Sequence, residues 1–247
     1  MRKKPNLIPR MERCAHWLIA EPEGMRARWR EEFPQYKAVE LELGCGKGRF
    51  TVGQAQAAPE VLLLALEKVP DAMVVAMERA AAAKLENVRF LDRDAGLLGE
   101  IFAPGEVERL YINFCDPWPK SRDAKLRLTA PGYLRRYADV LSLGGAIHFK
   151  TDNAALFDWS IEQFRAEGWR LENVTHDLHA NGPVGVMTDY EAKFYDQGVK
   201  INRLEAVRTE ETRTTAAGEV PRLRNASLRD ARGFAESVEN AGKGEEP

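Results

Sequence analysis

Six consecutive apolar residues, Val61-Leu62-Leu63-Leu64-Ala65-Leu66, stop abruptly at Glu67. A run with no polar position at period two leaves neither face to water, and it reads as a central strand of a parallel sheet covered on both faces. Parallel neighbours are joined only by long crossovers, so such a strand needs helices before and after it. The flanking sequence supplies them. Val39-Glu40-Leu41-Glu42-Leu43 alternates apolar and acidic residues as a half-buried strand and stops at glycine, and Phe50 to Ala58 follows as helix. Asp71 to Leu85 places Met73, Ala76, Met77 and Ala80 on one helical face before Asn87 breaks the pattern.

The alternation continues to the end of the domain. Val88 to Leu91 and Arg109 to Phe114 read as strands, Tyr133 to Leu141 as a helix, and Ala146 to Phe149 as a strand after the Gly144-Gly145 turn. Thr151-Asp152-Asn153 offers caps for a helix through Glu167, with Phe157, Ile161 and Phe164 along its buried stripe. Two late strands lie around Arg170 to Thr175 and Val199 to Val207. The expected fold is α/β: a doubly wound, mostly parallel, seven-stranded Rossmann-like sheet with helices on both faces.

A length of 247 residues with 44% hydrophobic content supports one catalytic domain plus tails. The division predicted is a basic N-terminal arm and first helix over 1–30, the catalytic domain over 31–207, and a disordered tail over 208–247, where mixed charges and small residues outnumber large apolar groups. The formal net charge of −2 gives no global basic field, so attraction to a polyanion has to come from local cations. One such group is the arm, with Arg2, Lys3, Lys4, Arg10 and Arg13 against Glu12; the other reading of it is a solvated tail. Cys14, Cys45 and Cys115 form no CxxC pair, which argues against disulfides and structural zinc, and His16, His148, His176 and His179 lack ligand spacing, so no metal is expected. No apolar run approaches a membrane span and no signal-peptide core is present, so the expectation is a soluble, cytoplasmic protein, monomer or homodimer.

In a doubly wound sheet, ligands bind beyond the carboxyl ends of the strands near the switch point. The residues there are acidic. Glu42-Leu43-Gly44-Cys45-Gly46-Lys47-Gly48 lets the backbone turn tightly and approach a ligand, but its GxGxG spacing differs from the GxGxxG of a pyrophosphate site. Glu67 ends the second strand where a carboxylate can take both ribose hydroxyls, and Asp94, after the third, can accept from an adenine amino group. With Asp116 after the fourth, these residues describe S-adenosylmethionine better than NAD, since an anionic pocket suits a sulfonium and repels pyrophosphate. The segment Asn113-Phe114-Cys115-Asp116-Pro117-Trp118-Pro119-Lys120 adds an aromatic for stacking on an extruded base or for anchoring the loop. Lys120, Arg122, Lys125 and Arg127 follow as a cation track for phosphates, or else as a solvated face.

The glycine motif, Asn113 to Lys120, His148-Phe149-Lys150-Thr151-Asp152-Asn153 and Thr188-x-Tyr190-Glu191-x-Lys193-Phe194 together resemble the bacterial tRNA (guanine-N7)-methyltransferases over about residues 1–207. The resemblance implies a class I S-adenosylmethionine-dependent methyltransferase that modifies the guanosine at position 46 of the tRNA variable loop, with tRNA and not DNA as partner. It also implies that Glu42, Glu67, Asp94 and Asp116 hold the cofactor, alongside Gly44, Gly46 and Gly48, and that Lys120, Asp152, Thr188, Tyr190 and Glu191 face the substrate. N7 of guanine carries a lone pair and no proton, so its methylation needs alignment and no general base, and Asp116 is the expected catalytic residue through the N1 and N2 edge of the base. Asp123 stands where the family has a histidine and Leu126 where it has an arginine, which thins the RNA track. The alternatives are a methyltransferase acting on a small molecule, which needs neither cation run nor arm, and a non-catalytic RNA-binding module, for which four carboxylates have no use.

Overall fold

The structure, a computed structural model, describes residues 6–215. Arg2, Lys3 and Lys4 of the basic arm and the tail from residue 216 onward lie outside the described residues. Seven strands are formed by β1 (Ala38–Leu43), β2 (Val61–Leu66), β3 (Val88–Leu91), β4 (Val107–Asn113), β5 (Leu141–Thr151), β6 (Arg170–Thr175) and β7 (Asn202–Val207). The α-helices are α1 (Leu7–Arg13), α2 (Trp29–Glu32), α3 (Arg49–Ala57), α4 (Pro70–Ala82), α5 (Leu98–Ile101), α6 (Pro131–Val140), α7 (Ala154–Ala166) and α8 (Asp189–Asp196). The sheet order is β3-β2-β1-β4-β5-β7-β6, parallel except for β7, which pairs antiparallel with both β5 and β6. The order reverses between β1 and β4, so the carboxyl ends of those two strands flank the crevice where a ligand can enter.

The apolar run of β2 does what its composition demands. Leu62, Leu64 and Leu66 join one core with Leu41, Leu110, Ile147 and Phe149, closed by Tyr137 of α6 and by Phe157 and Phe164 of α7. Leu63 and Ala65 join the other, with Phe90, Met73, Met77 and Ala80. Successive side chains of one strand thus feed opposite cores, as the period of two requires. β1 departs from its half-buried reading, because Glu40 and Glu42 are both buried. α3 covers that face, and the carboxylates remain there because each is bonded: Glu40 to Arg109 at 3.1 Å and to the Tyr111 hydroxyl at 2.7 Å, Glu42 to the Thr51 hydroxyl at 2.6 Å.

Both ends of the described chain pack onto this body. α1 is pinned by Arg10, whose Nε and Nη2 reach the Glu78 carboxylate of α4 at 2.7 and 2.5 Å, and Met11 and Cys14 are buried in the second core. Arg10 is therefore spent on the fold and is withdrawn from the basic arm. The expectation of disorder from residue 208 fails for 208–215: Arg208 N–H donates to Gly145 O at 2.8 Å, Arg213 N–H to Glu167 O at 2.9 Å and Thr215 N–H to the Asp139 carboxylate at 3.1 Å. Composition underrated this stretch because its ordering rests on backbone donors rather than apolar burial.

Gly48 shows how tightly α3 and α4 meet. It sits at φ +78°, and a Cβ there would come within 2.7 Å of Ala76 Cα and 2.5 Å of Ala76 Cβ. Backbone cannot retreat as a flexible side chain can, so Gly48→Ala should destabilise the protein by about 2–3 kcal/mol through strain and overpacking. The check is a thermal melt, with a Tm roughly 4–12 °C lower for a domain of this size.

Candidate active site

Strand ends bring the acidic residues together. Glu42 is the penultimate residue of β1, and the chain leaves the strand through Gly44 and Gly46 at φ +75° and +56°. Nothing lies within 4 Å of where a Cβ would stand on either glycine, so their backbone faces open space. The two glycines thus differ from Gly48: they leave room for a ligand, while Gly48 leaves room for a helix. Glu67, the first residue past β2, bends over this turn. Its carboxylate accepts from Gly46 N–H at 2.9 Å and Val69 N–H at 3.0 Å, which fixes it between the first two strand ends.

Glu42 is held deeper. It accepts from Thr51 and, at 3.5 Å, from the Asn113 amide on β4, and burial pushes its carboxyl up from the usual 4.5 to about 7, against the opposing pull of those bonds and of Lys150. The Asn113 side-chain oxygen is itself buried with no hydrogen-bond partner. Past β3, Asp94 is committed locally: its Oδ1 accepts from Gly96 N–H at 2.8 Å and caps the turn Ala95–Leu97. Asp92, one residue beyond the end of β3, has a carboxylate with no hydrogen-bond partner among the described residues, raised by burial to about 6. Sequence reasoning missed Asp92 and included Asn113 only as part of the motif Asn113 to Lys120; both stand at strand ends, and that position was the signal.

Beyond β4 the backbone is strained. Phe114 and Trp118 adopt φ +53° and +42°, a region that costs a non-glycine residue about 1–2 kcal/mol. Between them Asp116 projects into solvent. Three hydrogen bonds brace this loop: Phe114 N–H donates to Lys150 O at 2.9 Å, and the Arg127 guanidinium donates to Pro117 O and Trp118 O, each at 3.0 Å, while lying 4.4 Å over the Trp159 ring. Arg127 therefore leaves the cation track; its donors bind carbonyls of the loop. Lys120, Arg122 and Lys125 are exposed, and so are Lys47 and Lys68 beside the first two carboxylates.

The remaining residues sit on the β5 side. Asp152 is exposed next to Asn153, whose side chain caps α7 by accepting from Leu156 N–H at 2.8 Å. Thr188 and Glu191 form a capping box on α8. Tyr190 is 65% exposed and stacks on Phe194, which meets the Phe114 ring at 6.0 Å and so ties α8 to the strained loop. Glu191 is fully buried, paired with Lys150 at 2.6 Å and with His179 at 3.1 Å. Both Glu191 oxygens are engaged inside the protein, by Lys150, His179 and the Thr188 N–H, so neither is turned toward a substrate. Cys45 and Cys115 are held as thiols by burial, and no His, Cys, Asp or Glu group suited to a metal occurs among the described residues.

Residues 36–204 match the family model described as putative methyltransferase. Among solved structures, the chain is similar to the 16S rRNA methyltransferase KamB at 18% identity and TM-score 0.58, covering 74% of this chain and 93% of that one. A variant of the 16S rRNA (adenine(1408)-N(1))-methyltransferase from Catenulisporales acidiphilia aligns at 14% identity and TM-score 0.53, over 74% and 91% of the two chains. The aminoglycoside resistance methyltransferase NpmB1 aligns at 16% identity and TM-score 0.52, over 74% and 93%. At these identities the structural likeness speaks for the fold. The family match covers most of the chain: it belongs to the putative methyltransferase family, that of the tRNA (guanine-N7)-methyltransferases, and is a class I S-adenosylmethionine-dependent enzyme.

The crevice fits that cofactor. Open glycine backbone, the orphaned Asn113 acceptor and the carboxylates of Glu42, Glu67 and Asp92 form a set of acceptors for a cationic ligand rich in hydroxyl and amino donors. The raised Glu42 carboxyl also marks stability. The folded state holds a proton there that the unfolded chain has already released, so stability present below about pH 4.5 is lost as pH rises to about 7. Glu42→Gln should remove this loss: urea titrations at pH 4 and pH 8 should show the variant gaining up to about 3 kcal/mol on wild type between the two.

Proposed function

We propose that this methyltransferase transfers the methyl group of S-adenosylmethionine to N7 of a guanosine in the tRNA variable loop, position 46. The observation that carries the reading is the strained Phe114–Trp118 loop, which presents Asp116 to solvent with exposed Trp118, is joined to exposed Tyr190 through the Phe114 and Phe194 rings, and leads in the chain to the exposed cations Lys120, Arg122 and Lys125. Non-glycine residues persist at positive φ where surroundings over-determine them, and they cluster at functional sites. The family match supports the reaction, and the structural neighbours named as 16S rRNA methyltransferases support an RNA substrate on this fold.

Each side chain takes a part set by its place. Glu67, oriented by Gly46 and Val69, accepts from the ribose hydroxyls; Glu42 and Asn113 accept from the methionine amino group; Asp94 or its neighbour Asp92 accepts from the adenine amino group. The cofactor supplies a methyl group on a cationic sulfonium. Asp116 accepts from the N1 and N2 edge of guanine and leaves N7 directed inward, and its charge stabilises the positive charge that develops on the purine. Trp118 and Tyr190 offer aromatic faces to bases freed from the loop stack, and Asp152 completes the polar wall on the β5 side. Lys120, Arg122 and Lys125, joined by Lys47 and Lys68, contact phosphates. A small-molecule substrate gives this exposed rim no role.

The test uses labelled S-adenosylmethionine and unmodified tRNA transcripts that differ only in whether the variable loop carries guanosine. Label should enter only the guanosine transcript, and Asp116→Asn should lower kcat roughly 100-fold with little change in the KM for S-adenosylmethionine. Guanosine-independent labelling would refute the substrate, and wild-type turnover by Asp116→Asn would refute the role of Asp116.

A further inference from the structure

The segment from His176 to α8 crosses the carboxyl ends of β4 and β5 and lies against α3, and one buried charge cluster fixes it there. The Lys150 ammonium, on β5, donates to Glu191 Oε2 at 2.6 Å and to Val186 O at 3.1 Å, and lies 5.2 Å from the Phe50 ring centroid of α3. Glu191 uses its other oxygen on His179 Nε2 at 3.1 Å, and its Oε2 also accepts from Thr188 N–H at 3.2 Å. The His179 tautomer follows from its two partners: Val184 N–H donates to Nδ1 at 3.2 Å, so Nδ1 is bare and Nε2 carries the hydrogen given to Glu191. Lysine, carboxylate and imidazole thereby tie residues 179, 184, 186, 188 and 191 to one strand.

The start of the segment has ties of its own, Leu178 N–H to Ile201 O at 2.8 Å and His176 Nδ1 with Asn202 Oδ1 at 2.9 Å; between 184 and 191 the other contacts are weaker or merely steric. Val186 fills the space over Gly53, where a Cβ would meet its Cγ1 at 2.6 Å, and Arg79 of α4 bridges Asp189 at 2.8 Å with both side chains about 40% exposed. An exposed pair of that kind contributes little, whereas removing one partner of a buried pair strands the other charge. Lys150 is also the register partner of Asn113, which bonds Glu42, so only β4 lies between the cluster and that carboxylate.

We propose that Lys150 and Glu191 are a positioning pair: joined to each other and to His179, they hold the 179–191 segment against the sheet and thereby set Thr188 and the exposed Tyr190 at the RNA side of the site. Glu191 acts through Lys150 and not by touching the substrate. The placement of Tyr190 at an RNA rests on the reading under Proposed function; the clamp itself does not.

The experiment therefore has one readout that needs no RNA. Hydrogen exchange of the free protein should show amides of 184–191 exchanging at least about tenfold faster in Lys150→Met and in Glu191→Gln, a loss of about 1.4 kcal/mol in local protection, while amides of β1, β2 and β4 keep wild-type rates. The KM for tRNA should rise about tenfold in both variants, the KM for S-adenosylmethionine and kcat should change less than about threefold in Glu191→Gln, and Lys150→Arg should recover most of the effect because it keeps charge and donors. Unchanged exchange in Glu191→Gln would overturn the proposal, and a raised KM with unchanged exchange would overturn it in favour of direct RNA contact. If Lys150→Met does not fold, Glu191→Gln, which keeps volume and the capping acceptor, decides by the same exchange measurement. If no tRNA is methylated but exchange accelerates, the substrate reading falls and the clamp stands.

Discussion

The dryness of β2 governs the architecture. Leu62 to Leu66 send alternate side chains into two separate cores, so the strand has no wet face, and helices are obliged to cover the sheet on both sides. Polar chemistry near such a strand is then confined to its ends, where the chain must turn out of the sheet. Glu67 sits at that boundary, one residue past the apolar run, and is stabilised by two backbone donors rather than by water. The crevice between β1 and β4 is the product of this confinement together with the reversal of strand order.

Further from β2 the sheet tolerates charge because it is paired. On the face that carries Glu40 and Glu42, Tyr111 donates to Glu40 at 2.7 Å and accepts from Gln54 at 3.0 Å, and Arg109 closes the group from β4. His148 on β5 continues the row toward Glu205 on β7, with burial and the neighbouring cations lowering its imidazole to about 3, so it stays neutral at physiological pH. A buried network of this kind is satisfied as a whole or costly as a whole. Lys150 belongs to the same face and has the same logic: a charge kept inside because a carboxylate, a carbonyl and an aromatic ring surround it.

The loop after β4 and the segment before α8 share another feature, in that each is shaped by partners distant in sequence. Arg127 reads in sequence as one more cation in a run, yet it grips Pro117 O and Trp118 O and rests on Trp159 of α7. Glu191 is implied by resemblance to face the substrate, yet no part of it reaches solvent. The exposed side chains Asp116, Trp118 and Tyr190 are thus supported by residues whose own charges are spent inside the protein.

The alternation of apolar runs and helical stripes determined the fold class, the approximate place of every strand and the position of the acidic residues at strand ends, because burial period and turn chemistry are local properties of a chain. Local properties also exposed Gly44, Gly46 and Gly48 as a turn, though not that Gly48 serves helix packing while the others face open space. Which charges are spent inside the protein was decided only by tertiary structure: Arg10 on Glu78, Arg127 on the loop carbonyls, Glu191 on Lys150, Asp94 on its own turn. A charged residue looks the same in sequence whether it faces water or a partner 41 residues away, as Lys150 and Glu191 do. Its desolvation and pairing energies come into being only when the sheet brings those partners together.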